Sequence, residues 1–453
     1  MSSSFIRDVL QSLFGLSLTI ACIIRPSFAE ELLADKLMPE MADAVAQAVQ
    51  YSDSMMEAVF QLGRAEADAD IRAARTYPVI NGFSQYHGQW EQRDEVSGTQ
   101  FSRRFLYGLT LRKPIYHWGA LEANKRIGEI LLQSANKNLD TRRYFVRSEC
   151  LRRLLNLSIA ERESQFAEST LDFRKQLLEQ SETGQAEGVA TLQELETARM
   201  NQRNAYQASL GARNHYRNAR HKFLKDFSVS EEVLAKLPEE LPKAELDLIK
   251  WRERIDDFQQ KTYRNHPEYT AAEDAVKVQE NQILIDRARN RPTVDLVVGA
   301  NQDDTTHLLT ELDDRFRQIY FGGVRVSWNI FDGYETRGRV ELARTLRDQA
   351  LNKKKRLARK LSQDAIQLLH ELENCQARMN AGKEMFDWKA ERFRKAERSF
   401  ELGQISETEL AHHGYDFAYE EYQAVLENAR CLALILQAEL LTTLGQPRKK
   451  PVQ

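Results

Sequence analysis

The sequence predicts a mainly helical protein with a small β part, arranged as two similar halves. Three observations carry that reading. The 453 residues hold only 20 glycines and 10 prolines, below ordinary usage, and are rich in good helix formers. Pieces of the first half recur in order in the second. Between long helical stretches lie segments whose apolar residues alternate with period two, as in half-buried strands. Lysine plus arginine (64) nearly balances aspartate plus glutamate (67), a net charge of −3. That balance gives no sign of a nucleic-acid binder's basic surface. Mean hydropathy is −0.57, and only one apolar run approaches spanning length, at the N-terminus. A polytopic helical transporter is therefore excluded.

The chain opens with an expected export signal over residues 1–29. Arg7 precedes the apolar run Val9 to Ile24, and Ser27-Phe28-Ala29 reads as a small-x-small cleavage site before Glu30. After cleavage Cys150, Cys375 and Cys431 remain. An odd number argues against a disulfide framework, and buried free thiols are the expectation. Whether Cys150 and Cys375 pair stays open.

The duplication is legible in four places. Ile71 to Val79 resembles Ile285 to Thr293, with Pro78 and Pro292 in register. Gly108 to Tyr116 resembles Gly323 to Phe331. Gly184-Gln185 matches Gly403-Gln404, and Gln207 to Leu210 matches Gln423 to Leu426. Four matches in one order, at nearly constant spacing, argue for two repeats. The first covers 30–228 and the second 263–446, joined by a linker at 229–262 and followed by a tail at 447–453. Each repeat runs helix, proline, hairpin and long proline-free helices. The hairpins are expected at about 78–114 and about 292–331.

The strands alternate cleanly in three segments. Leu109 and Leu111 share a face, as do Val294, Leu296 and Val298, and Val324, Val326 and Trp328. Each strand is about 10–12 residues, long enough to cross a bilayer obliquely. Those eight residues are the candidates for a lipid-facing surface. Val79 to Trp90 alternates poorly. Four strands alone would leave exposed edges, and closure of several copies into a barrel would remove them.

The long helices need partners. Tyr415, Tyr419, Tyr422, Leu426, Ala429, Ala433, Leu436 and Leu440 alternate at spacings of four and three, a coiled-coil seam. The first half offers smaller residues there, among them Ala205, Ser209 and Ala212. No reaction chemistry stands out. The histidines are scattered, and adjacent His412-His413 point to different sides of a helix. No phosphate-binding loop, nucleophile elbow or paired-cysteine metal motif occurs. No catalytic residue, metal or cofactor is expected.

Taken together, these features resemble the TolC-like outer-membrane efflux and secretion proteins. The resemblance rests on the export signal, the duplication and the Pro78 and Pro292 helix-to-strand junctions. It also rests on Lys113-Pro114-Ile115-Tyr116, on Trp328 to Gly333, and on Phe400 to Ser406 as an aromatic-x-x-Gly run. His266-Pro267-Glu268 loosely fits the family's Asn-Pro helix start. The first half, with Tyr51-Ser52-Asp53, departs from it.

The resemblance implies a homotrimer in a Gram-negative outer membrane. Its three chains would build a 12-stranded transmembrane β-barrel on a periplasmic α-barrel of long coiled-coil hairpins. It implies a passive exit duct for a tripartite efflux pump or a type I secretion system. A periplasmic adaptor and an inner-membrane ABC or proton-driven transporter would open it. By the family's spacing, counting back from Gly184 and Gly403 places helix-to-helix tips near 152–158 and 371–377. Asn156, Ser158, Glu161, Glu371, Glu373 and Arg378 are then the gate or adaptor candidates. A soluble periplasmic coiled-coil adaptor is the alternative reading.

Overall fold

The computed structural model describes residues 41–92, 99–234, 241–307 and 315–445. The export signal and the tail expected from the sequence lie outside them. The first half runs α1 (Ala42–Tyr51), α2 (Asp53–Ala74), β1 (Val79–Gln92), β2 (Thr99–Tyr116), α3 (Ala120–Ala186) and α4 (Leu192–Phe227). The short α5 (Glu231–Leu234) follows. The second half runs α6 (Leu248–Gln260), a 3-10 turn (Thr262–Asn265), α7 (Pro267–Ala288), β3 (Thr293–His307), β4 (Arg315–Ser327), α8 (Glu335–Glu401) and α9 (Glu407–Leu444). Both halves thus have one order of elements. α2 starts after Ser52 and α7 after His266, at the repeat spacing set by Pro78 and Pro292.

The helices α3 and α8 have 67 residues each, about 100 Å at 1.5 Å per residue. They persist because they pack in antiparallel pairs, α3 with α4 and α8 with α9. Small residues allow the close approach in the first pair, where Ala205, Ser209 and Ala212 are buried. In the second half the seam is aromatic. Phe166 of α3 meets Tyr415, Tyr419 and Tyr422 of α9, stacking on Tyr422 at 5.1 Å.

The core sits midway along the long helices rather than at an end. Leu151, Leu155, Leu372, Leu432 and Ile435 are fully buried there, with α1 and Trp251 of α6 packed over them. The linker is strapped to this belt by Asn428. Its Nδ2 donates to the Pro242 carbonyl at 2.9 Å, and its Oδ1 accepts from the Ala244 N–H at 2.8 Å.

The cysteines correct the sequence expectation. Cys375 and Cys431 form a disulfide between α8 and α9, their Cα atoms 5.8 Å apart. Cys150 is the free, buried thiol, and burial pushes its pKa up to about 12. An odd count left one cysteine over; it did not prevent the other two from pairing.

The four strands form one antiparallel sheet in the order β1-β2-β3-β4. Its central pair, β2 with β3, joins the two halves of the chain, with Leu109 opposite Ala300 and Leu111 opposite Val298. The β1–β2 and β3–β4 pairs run toward one end of the sheet with their hairpin ends, and all four junctions to helices lie at the other. β1 and β4 are edges whose outer backbone groups have no strand partner among the described residues.

Candidate channel-forming surfaces

The sheet has two chemically distinct faces, and the strand register fixes their membership. Residues opposite one another share a face. The row Ile80, Leu111, Val298 and Gly322 is apolar, as is Gly82, Leu109, Ala300 and Tyr320. Toward the helices follow Leu296 with Val324, then Tyr116, Val294 and Val326. Leu109 and Val324 are each about 60% exposed (60% and 63%). Seven of the eight sequence candidates, Leu109, Leu111, Val294, Leu296, Val298, Val324 and Val326, lie on this face within the strands. Trp328 continues its parity one residue past β4, and its indole N–H donates to the Asn290 carbonyl at 3.0 Å.

Aromatic rows border this apolar field. Tyr86, Phe105 and Phe316 share the row of Asp304 near the hairpin end. Phe105 lies 6.4 Å from Tyr86 and 5.0 Å from Tyr107. Tyr116 and Trp118 meet at 5.1 Å at the helix end. The rows of Val294 and Asp304 are ten residues apart, about 33 Å along a strand. A barrel tilt near 40° makes that about 25 Å, the height of an outer-membrane apolar band.

The other face carries the buried polar groups, set among apolar ones such as Phe83, Val297, Ile319 and Phe321. Asp295 is fully buried, and Ser102 is nearly so. Asp295 accepts from Arg112 Nε and Nη2 at 2.9 and 2.6 Å, and lies 2.8 Å from His117 Nε2. Asp303 accepts from Arg104 at 2.8 and 2.5 Å. Asn81, Gln85, Thr110 and Asn301 stand on the same side.

The turns between long helices are not where family spacing put them. They lie at 187–191 and 402–406, while 152–158 and 371–377 are uninterrupted helix. Asn156 is 30 residues from the end of α3, and Glu371 is 30 from the end of α8, each about 45 Å away. Asn156, Ser158, Glu161, Glu371, Glu373 and Arg378 stand instead at the height of the core belt. Glu161 accepts from the Tyr216 hydroxyl at 3.1 Å. Arg252 of α6 donates to Glu373 at 2.6 Å, and this bond holds the carboxyl below the usual range. Arg378 donates to Glu427 of α9 at 3.0 Å. Glu371 takes a bond from Gln367 at 2.7 Å. The glycine motif is itself the turn, so positions about 30 residues before it fall inside the helix.

The backbone explains why. Gly188 and Gly403 have φ of +76° and +67°, the left-handed region that favours glycine. Gly403 N–H donates to the Phe400 carbonyl and Gln404 N–H to that of Ser399, both at 2.8 Å. Gly188 and Val189 bond to Gln185 and Gly184 in the same pattern. Each is a Schellman motif, which stops a helix and satisfies its last carbonyls. The repeat partner of Gly403 is therefore Gly188, not Gly184. The following helices start alike. Thr191 and Glu194 form a reciprocal capping box, and Ser406 accepts from the Glu409 N–H at 3.2 Å. Thr191-x-x-Glu194 and Ser406-x-x-Glu409 were the sequence signal that marks these turns.

Among the described residues no helix is long and apolar enough to cross a membrane, and no cluster of ligands suited to a metal occurs. The chain's likeness to other proteins agrees with this geometry. Residues 44–223 match the family "Outer membrane efflux protein". No curated protein matches the chain by sequence. Among solved structures, the CmeC outer membrane channel of Campylobacter jejuni superposes with a TM-score of 0.75 at 13% identity, over 92% of this chain and 90% of that one. The outer membrane protein VceC of Vibrio cholerae gives 0.71 at 15%, over 91% and 97%. A membrane protein of Pseudomonas aeruginosa gives 0.70 at 16%, over 89% and 93%. At these identities the structures establish the fold alone. Residues 44–223 thus match the outer membrane efflux protein family, and the chain as a whole shares the fold of these outer-membrane proteins.

Proposed function

We propose that three copies of this chain close into an outer-membrane channel, the passive exit duct of a tripartite efflux pump. The observation that carries this is the four-stranded sheet with an apolar face, a polar face and two unpaired edges. One copy cannot satisfy those edges, and three copies give twelve strands and a closed barrel. The helical edges support the same assembly. Met56 and Phe60 of α2 and Leu342 and Leu346 of α8 are exposed on faces that no helix of the same chain covers. A soluble adaptor would leave this sheet face in water, at about 25 cal/mol per Å² of exposed apolar surface.

In this reading the polar face lines the duct and the long helices carry it through the periplasm. The turns at 187–191 and 402–406 form the tip presented to an adaptor and an inner-membrane pump. Each turn offers exposed apolar side chains, Val189 and Leu192 on one and Leu402 on the other. Energy comes from the pump. Membrane fractionation with unboiled gel electrophoresis tests the proposal. An outer-membrane trimer that dissociates on heating is expected. A monomer confined to the soluble periplasmic fraction would refute it.

A further inference from the structure

The polar face of the sheet holds more arginine than carboxylate, and the register shows which arginines are left over. Asp295 stands opposite Arg325 on β4 and Pro114 on β2, with Arg112 two residues along β2 on the same face. Arg112 takes it, with both bonds to Oδ2, while His117 occupies Oδ1. Asp303 stands opposite Arg317 of β4 in register, yet Arg104 of β2 binds both its oxygens. Both β3 carboxylates are thus engaged from the β2 side. Arg317 and Arg325 are exposed and make no ion pair among the described residues. In a closed barrel β4 would meet β1 of the next copy. The described polar side chains on that face of β1, Asn81, Gln85, His87 and Gln89, bring no carboxylate.

We infer that Arg317 and Arg325 make two rings of uncompensated positive charge inside the barrel, and that this section of the duct favours anionic solutes over cationic ones. The inference rests on the trimeric barrel proposed above. The two positions are eight residues apart on β4, about 20 Å along the axis of a tilted barrel. Fixed charges act over about 10 Å at 0.1 M salt, so the two rings cover most of the barrel's length. A ring of like charge inside a low-dielectric wall concentrates counter-ions and sets selectivity.

The test uses the purified full-length trimer in a planar lipid bilayer under a potassium chloride gradient. Single-channel conductance is read first, and an absence of any pore defeats the barrel reading and this inference with it. In a conducting trimer, Arg317→Gln with Arg325→Gln is expected to lower the chloride-to-potassium permeability ratio about threefold or more. Arg317→Lys with Arg325→Lys is expected to keep the wild-type ratio. An unchanged ratio in the glutamine variant overturns the arginine rings and leaves the channel intact. A ratio lost equally in the lysine variant overturns the role of charge. Should the glutamine variant fail to assemble, the wild-type ratio is followed from 1 M to 0.1 M salt. Chloride preference should rise as screening falls, and a flat response overturns the inference.

Discussion

Val298 and Gly323 stand at one height on opposite faces of the sheet, and exchanging each for arginine separates lipid from lumen. Val298 is paired with Leu111 and Gly322, and Gly323 with the neighbouring Val297. Val298 lies four residues from Val294, about 13 Å along the strand and about 10 Å into a 25 Å apolar band. That is close to the midplane. An arginine facing lipid there costs about 2–4 kcal/mol per chain, or about 6–12 kcal/mol for three chains that assemble together. At 1.4 kcal/mol per factor of ten, even the lower figure is about a 10⁴-fold loss of assembled trimer. A side chain at Gly323 enters open space, since no atom lies within 4 Å of an added Cβ, and its head points to the duct. The expected change there is within about 0.5 kcal/mol. The assay is the amount of heat-dissociable trimer in the outer membrane and its dissociation temperature. Val298→Arg should abolish or strongly lower it, and Gly323→Arg should not. Equal behaviour, or the reverse order, would refute the assignment of faces.

Four further outcomes are expected. Gly403→Ala forces a side chain to φ +67° in otherwise open space, costing about 1–2 kcal/mol at the turn; faster proteolysis at 402–406 with retained trimer is the readout. Cys375→Ser with Cys431→Ser opens a disulfide spanning 56 residues, worth about 4 kcal/mol by chain entropy; the dissociation temperature should fall, and reductant under denaturing conditions should no longer alter refolding. Val189→Asp with Leu402→Asp changes only exposed turn residues, so trimer yield should persist while antibiotic resistance in a pump-bearing strain falls; unchanged resistance counts against the tip. Burial holds His266 at about 4 against its ordinary 6.5. A neutral folded histidine contributes stability that is complete above 6.5 and lost as pH falls through 4, about 3 kcal/mol per chain at most. Acid unfolding curves should therefore flatten between those values in His266→Asn.

Local chemistry made some features readable and not others. The apolar face could be assigned residue by residue because side chains alternate with a period of exactly two, so parity survives any error in strand ends. β1 was the exception. Its segment alternates poorly in sequence, yet it pairs over fourteen residues with β2, because a well-patterned neighbour supplies the ladder. The helical turns were misplaced because Gly184 and Gly188 both sit near the end of α3, and composition does not say which adopts positive φ. The bonds from Gly188 and Val189 back to the last turn decide it.

What the sequence by itself determined is the helical character, the duplication and which strand residues share a face. Each is set by spacing between near neighbours, which propensity and periodicity record directly. What only the tertiary structure decided is which distant residues meet. The pairing of β2 with β3 brings Arg112 to Asp295 and Arg104 to Asp303. The packing of α8 on α9 brings Cys375 to Cys431 and leaves Cys150 alone. The same pairing leaves Arg317 and Arg325 without an ion pair among the described residues. Such contacts depend on three-dimensional register between segments far apart in the chain, and no local pattern of residues encodes that register.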